Sequence, residues 1–121
     1  DLRAVLKDGR KFTDNTGGGA DHVSYVTGAT DYLFLLAEFE YHGSRTYANS
    51  AEKNYQKQYD YYKAGNSKVH NRFENPESAV NAWTRSAYAG NNDNFCLVNT
   101  DGTPNSYDAD ISGALAPGFA V

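Results

Sequence analysis

No apolar run in this chain outlasts a short element. The longest, around Leu33–Leu36, is strand-sized, and nothing approaches the roughly 18 residues of a membrane-spanning helix. Glycine, Asn and Asp clusters punctuate the rest. A chain of such pieces must gather many short elements round one small core, and 121 residues leave room for one domain. That core has to be aromatic. Hydrophobic residues make up 40% of the chain and mean hydropathy is −0.70, but 10 Tyr, 6 Phe and one Trp supply large area from few positions. The chain opens without Met or a charged-then-apolar leader, and reads as the C-terminal fragment of a longer protein. A net charge of −4 and a pI near 5.2 argue against a nucleic-acid binder, which would carry a basic face. Cys96 is the single cysteine, which excludes an intrachain disulfide or a cysteine zinc knuckle.

Residues 1–11 read as a strand, an Asp8-Gly9 turn and the start of a second strand. The Gly-rich stretch 14–21 is a connection, lacking the spacing and the Lys-Ser of a phosphate loop. His22–Val26 alternates as a strand and Leu33–Leu36 as a buried one. Two helices are predicted, near 37–43, ending at Gly43, and near 51–64, capped by Ser50 and stopped by Gly65-Asn66. Tyr55, Tyr59 and Tyr62 fall at i, i+4, i+7 and form the core face of the second helix. Short strands follow at Val69–Phe73, Ser78–Trp83 and Phe95–Val98. Asp101-Gly102 marks a hairpin turn, Ser106–Ile111 returns, and Ala114–Val121 closes the chain across Pro117. The fold class expected is α+β, with small helices first and then a small twisted antiparallel sheet. Trp83, Phe95, Leu97, Leu115 and Phe119 are the predicted buried members of the closing strands.

The alphabet changes abruptly after Trp83. Residues 1–83 contain six Lys, five Glu and two Gln, and residues 84–121 contain none of the three. The blank stretch is still polar, with one Arg and four Asp for a net −3. Randomising only the adenines of an Asn codon yields fifteen amino acids, and Lys, Glu, Gln, Met and Trp are not among them. The segment obeys that alphabet throughout. Hairpin loops, which favour Asn, Asp, Gly and Ser, account for the Asn and Asp but less well for a blank spanning strands and loops together.

The order of motifs is similar to that of a known family. Asp31-Tyr-Leu-Phe-Leu-Leu-Ala-Glu-Phe-Glu40 resembles its "FLLS..E" segment. Ala82-Trp-Thr-Arg-Ser-Ala87 resembles its "WWLRSP" strand, with Ala82, Thr84 and Ala87 departing from it. Phe95–Gly102 resembles its strand and "DG" hairpin, and Ala114–Val121 its closing "GVRPAF.V". The resemblance spans about residues 24–121. It implies a C-type-lectin-like fold akin to the formylglycine-generating enzymes. It also implies a variable protein of a diversity-generating retroelement, whose C-terminal binding surface is rewritten by adenine-directed mutagenesis. Residues 84–115 would be that variable region. On this resemblance the partner is a protein receptor on a host cell or bacterial surface. The location is a virion tail tip or the bacterial cell surface, with a homotrimer if the domain belongs to a phage fibre. No nucleic acid, membrane insertion or cofactor is expected.

The residues favour binding over chemistry. Cys96 sits between Phe95 and Leu97 as a small buried hydrophobe, and the paired cysteines of the oxidase relatives are absent. His22, His42 and His70 lack zinc-ligand spacing. Asn99–Gly102 and Tyr107–Asp110 offer oxygens but not a full calcium loop, so a hairpin turn is the better reading. Glu38 and Glu40 point to different sides of their helix and tie it to neighbouring strands, and Arg85 is expected to bind one of them. Tyr88, Asn91, Asn92, Asn94, Ser106, Tyr107, Asp108 and Asp110 have the residue types of an antibody paratope. They are the candidate ligand-binding residues, expected on one exposed acidic face. The rival readings are a structural module without a ligand and a carbohydrate-binding lectin.

Overall fold

The computed structural model describes residues 8–15 and 18–120. The expected strand over residues 1–7 and the last residue of the closing strand lie outside them. The fold is β-rich, 36% strand and 15% helix, in place of the expected α+β lectin-like arrangement. Among the described residues the strands form four small antiparallel sheets rather than one. The first pairs β1 (Asp8–Thr13) with β2 (Val26–Asp31), from Asp8 opposite Asp31 to Thr13 opposite Val26. Asp8-Gly9 is therefore the start of a strand, and the predicted strand at His22–Val26 is a 3-10 turn at Val23–Tyr25 leading into β2. Next come β3 (Phe34–Leu35), β4 (His70–Asn71) and β5 (Ala79–Val80), the last two paired with each other. The largest sheet has three strands in the order β6 (Ala82–Ala87), β7 (Asn94–Val98) and β8 (Pro104–Asp108). The closing strand is only two residues long, β9 (Pro117–Gly118), and pairs with β3.

Helix α1 (Glu38–His42) stands where the sequence places it, ending at Gly43 with φ +71°. A Cβ there would meet Gln58 Oε1 at 2.7 Å, so only glycine fits. The helix expected over 51–64 is instead a 3-10 turn at Ser50–Asn54, capped by Asn49, and a short α2 (Asp60–Lys63). Tertiary hydrogen bonds replace the helical ones between them. Gln58 Nε2 donates to Tyr41 O (3.0 Å), Tyr59 N to Glu40 O (3.0 Å) and Gln56 Nε2 to Lys11 O (3.2 Å). The Tyr stripe is split accordingly: Tyr59 and Tyr62 pack on the core and Tyr55 is exposed.

That core holds Leu36, Tyr41, Ala82 and Val98, flanked by Phe34. Beside it lies a polar layer built on three buried carboxylates, Glu38, Glu40 and Glu52. This explains how a chain of such low hydropathy folds: much of its interior is satisfied polar side chain.

The closing segment inverts the expectation. Small residues alternate inward: Ala114, Ala116, Gly118 and Ala120 are half-buried, and a Cβ on Gly118 would lie 2.9 Å from the Phe34 ring. The large residues between them turn outward, leaving Leu115 69% and Phe119 57% exposed. Phe95 is also exposed and Trp83 half-buried, so of the five predicted core residues only Leu97 is fully buried.

Candidate functional site

The predicted ligand-binding residues lie on β7, β8 and the turns at one end of their sheet. Register decides which of them meet. Asn94 faces Asp108, Cys96 faces Ser106, and Phe95 faces Tyr107. Directly opposite residues share a face and successive ones alternate. Asn94, Ser106 and Asp108 therefore share one face, and Tyr107 lies on the other beside Phe95. The eight candidates do not converge on a single face. Tyr88 is half-buried, its ring edge-on to Tyr47 with centroids 6.0 Å apart. Asn92, Tyr107, Asp108 and Asp110 are exposed.

A local polar cluster joins four residues. Asn91 Oδ1 accepts from Asp93 N (3.4 Å) and Asn94 N (3.1 Å). With its amide oriented to suit its neighbours, Asn94 donates to Asp108 Oδ1 (2.6 Å) and Asp93 Oδ1 (3.0 Å). Ala109 N bonds Asp93 O (2.9 Å), which stitches the 88–94 turn to the end of β8.

The turn is also held from beneath. Buried Asn15 donates to Tyr88 O (2.7 Å) and to Asn91 O (3.0 Å). The same device recurs nearby. Glu38 accepts from the backbone N–H groups of Thr46 (2.7 Å), Tyr47 (3.0 Å) and Ala48 (3.2 Å). Asn49 Nδ2 donates to His22 O (2.7 Å). In each case a buried side chain grips the main chain of a loop.

Arg85 is structural, as its sequence setting suggests. Its guanidinium forms a bidentate pair with Glu40 (2.6 and 2.9 Å) and also donates to Leu35 O (2.8 Å) and Lys11 O (2.9 Å). Ser86, next along β6, accepts from Glu38 N (3.0 Å) and donates to Glu52 Oε1 (2.9 Å). Thr13 Oγ1 donates to Glu52 Oε2 (2.6 Å). Burial raises the Glu52 carboxyl above its ordinary range against the pull of these bonds.

The remaining reactive residues fit structural roles. Cys96 is fully buried, and desolvation with Glu38 and Glu52 nearby pushes its thiol far up, away from a reactive thiolate. Burial, with Lys68 adding to it, pulls His42 down to about 4, and burial also lowers His70, which shares a 3.1 Å hydrogen bond with Tyr41 Oη. No group of three or more His, Cys, Asp or Glu is placed to hold a metal among the described residues. Asp101 serves the β7–β8 turn, accepting from Thr103 N (3.0 Å), while Gly102 supplies the φ of +87°.

The sequence reading missed a concavity beside these residues. A groove of about 550 Å³ runs between the β1–β2 hairpin and the three-stranded sheet. Phe12, Leu33, Phe34, Trp83, Phe95 and Leu115 line it, with Asp31 in its wall and Ala109 at its margin. A second hollow of about 240 Å³ between Phe12, Asn15, Asn92 and Phe95 shares two of these walls. Only the outward turn of Leu115, between half-buried Ala114 and Ala116, could have signalled the groove.

No curated protein and no solved structure, lectin-like folds included, matches the chain. A family model does: residues 5–121 match DUF6273, a domain of unknown function. That match takes in every element described above, and the chain belongs to the DUF6273 family.

Proposed function

We propose that this chain is a ligand- or receptor-binding domain whose exposed surface around residues 88–94 and 107–110 is diversified by adenine-directed mutagenesis. A phage tail or bacterial surface protein would present it, and a surface protein of another cell would be its receptor. One observation carries the reading: buried Asn15 holds the 88–94 turn through the main-chain carbonyls of Tyr88 and Asn91, a hold that does not depend on the turn's side chains. A surface that must change sequence while keeping its shape needs this arrangement. The restricted alphabet of residues 84–121 supports it from the genetic side. Buried members of that segment, such as Ser86, Cys96 and Leu97, are excluded from variation because polar or oversized replacements there cost several kcal/mol.

The test is to sequence this gene and its flanks from independent isolates. The expected result is a neighbouring reverse transcriptase with an imperfect repeat of codons 80–115. Differences between isolates should fall on the codons of Asn92, Tyr107, Asp108 and Asp110 and spare those of Ser86, Cys96 and Leu97. Identical sequences, or differences spread evenly over buried and exposed codons, would leave the chain a fixed structural module.

A further inference from the structure

Large apolar side chains that face water in a closing strand call for an explanation. Leu115 stands 69% exposed at one wall of the 550 Å³ groove, and Leu33 (40%) and Phe95 (38%) are exposed in its lining. Contiguous exposed apolar area beside a concavity marks a contact surface. Charge then says what fits. Among the described residues two cations approach the groove, and each has its counter-charge. Arg85 is clamped by Glu40 (2.6 Å), and Arg10, whose guanidinium stacks 3.8 Å over the Phe34 ring, is held by Asp8 (2.6 Å). The groove is therefore apolar within, and Asp31 is the charge in its lining left without an ion-pair partner among the described residues.

We propose that this groove binds a protein segment that presents an apolar side chain flanked by Lys or Arg. The apolar side chain fills the space between Phe12, Trp83 and Leu115. A flanking cation meets Asp31 in the wall. This rests on the reading of the chain as a binding domain and adds a contact to it. The groove supplies an anchor from residues that need not vary, while the 88–94 and 107–110 turns beside it supply discrimination. Tyr107, on the same face as Phe95, joins the two.

Trp83 is the only tryptophan and lines the groove, so its fluorescence reports occupancy. The probes are two capped hexapeptides, one alternating Lys with Phe and Leu, the other with Glu at each Lys position. The cationic peptide should give a saturable change in Trp83 emission and bind at least about ten-fold more tightly than the acidic one, with affinity falling as salt rises. Leu115→Ser should weaken it severalfold, as should Asp31→Asn, each at unchanged melting temperature, because both side chains are exposed. Absence of a saturable change with the cationic peptide overturns the proposal. So does equal or tighter binding of the acidic peptide, or undiminished binding by the Leu115→Ser protein. None of these outcomes bears on the pattern of variation between isolates, which tests the binding-domain reading separately.

Discussion

Individual carboxylates carry much of this fold. Glu40 and Arg85 are nearly buried, with side chains 4% and 12% exposed, and each would be left uncompensated without the other. Arg85→Ala should cost about 3–5 kcal/mol, as for other broken buried pairs. For a domain of this size that lowers the melting temperature by on the order of 10 °C, which calorimetry would resolve. An unchanged melting temperature with lost ligand binding would reverse the role assigned to Arg85. Glu52 behaves differently. Its folded carboxyl is raised, so its contribution to stability is fullest below the ordinary carboxylate range and is lost as pH rises through the raised value. Glu52→Gln stays neutral, and the Thr13 and Ser86 hydroxyls can turn to meet an amide. The variant should therefore gain a few degrees in melting temperature relative to the parent at pH 7, and the gain should shrink towards pH 4. A difference that does not change with pH would show that Glu52 keeps an ordinary affinity for its proton.

Elements were legible where local signals agree with tertiary ones. Gly43 ends α1 because both its φ and the approach of Gln58 demand glycine, and Asp101-Gly102 turns the β7–β8 hairpin as its sequence says. The helix over 51–64 was not legible, because the amides of Gln56 and Gln58 find partners 45 and 17 residues away that no periodicity displays. The closing strand misled for another reason. Apolar bulk usually points inward, but here the space between β9 and Phe34 admits only a glycine. Gly118→Ala should therefore cost about 1–3 kcal/mol through displacement of the Phe34 ring. Phe119→Ser, at a site 57% exposed, should stay within about 0.5 kcal/mol. Chemical denaturation of the two variants checks this order, which is the reverse of what hydropathy suggests.

At the scale of the whole molecule, strand-sized pieces and an aromatic contribution to the core follow from the sequence, but the assembly into four separate sheets does not. Pairings such as β3 with β9 join residues more than 80 positions apart through two-residue strands, too short to leave a pattern. The candidate residues were found by alphabet and the groove was not, because it forms only where the β1–β2 hairpin meets the sheet. The hold on the 88–94 turn can be measured. Asn15→Ala strips the carbonyls of Tyr88 and Asn91 of a donor and should cost about 1–3 kcal/mol. Asn92→Ala, in the turn itself, should cost less than about 0.5 kcal/mol. Equal costs in thermal melts would mean that the turn's side chains fix its position.

That grip has a practical side. Asn15 asks of the turn only two carbonyl oxygens, three residues apart, and Gly90 only that nothing crowd the Tyr88 ring. A foreign segment of the same length that keeps those two oxygens and that glycine can be transplanted between Tyr88 and Asn94 without redesigning the rest. The domain is in this sense a ready-made library scaffold: residues 92–93 and 107–110 can be randomised together, and what is selected is chemistry on a surface whose geometry is already settled.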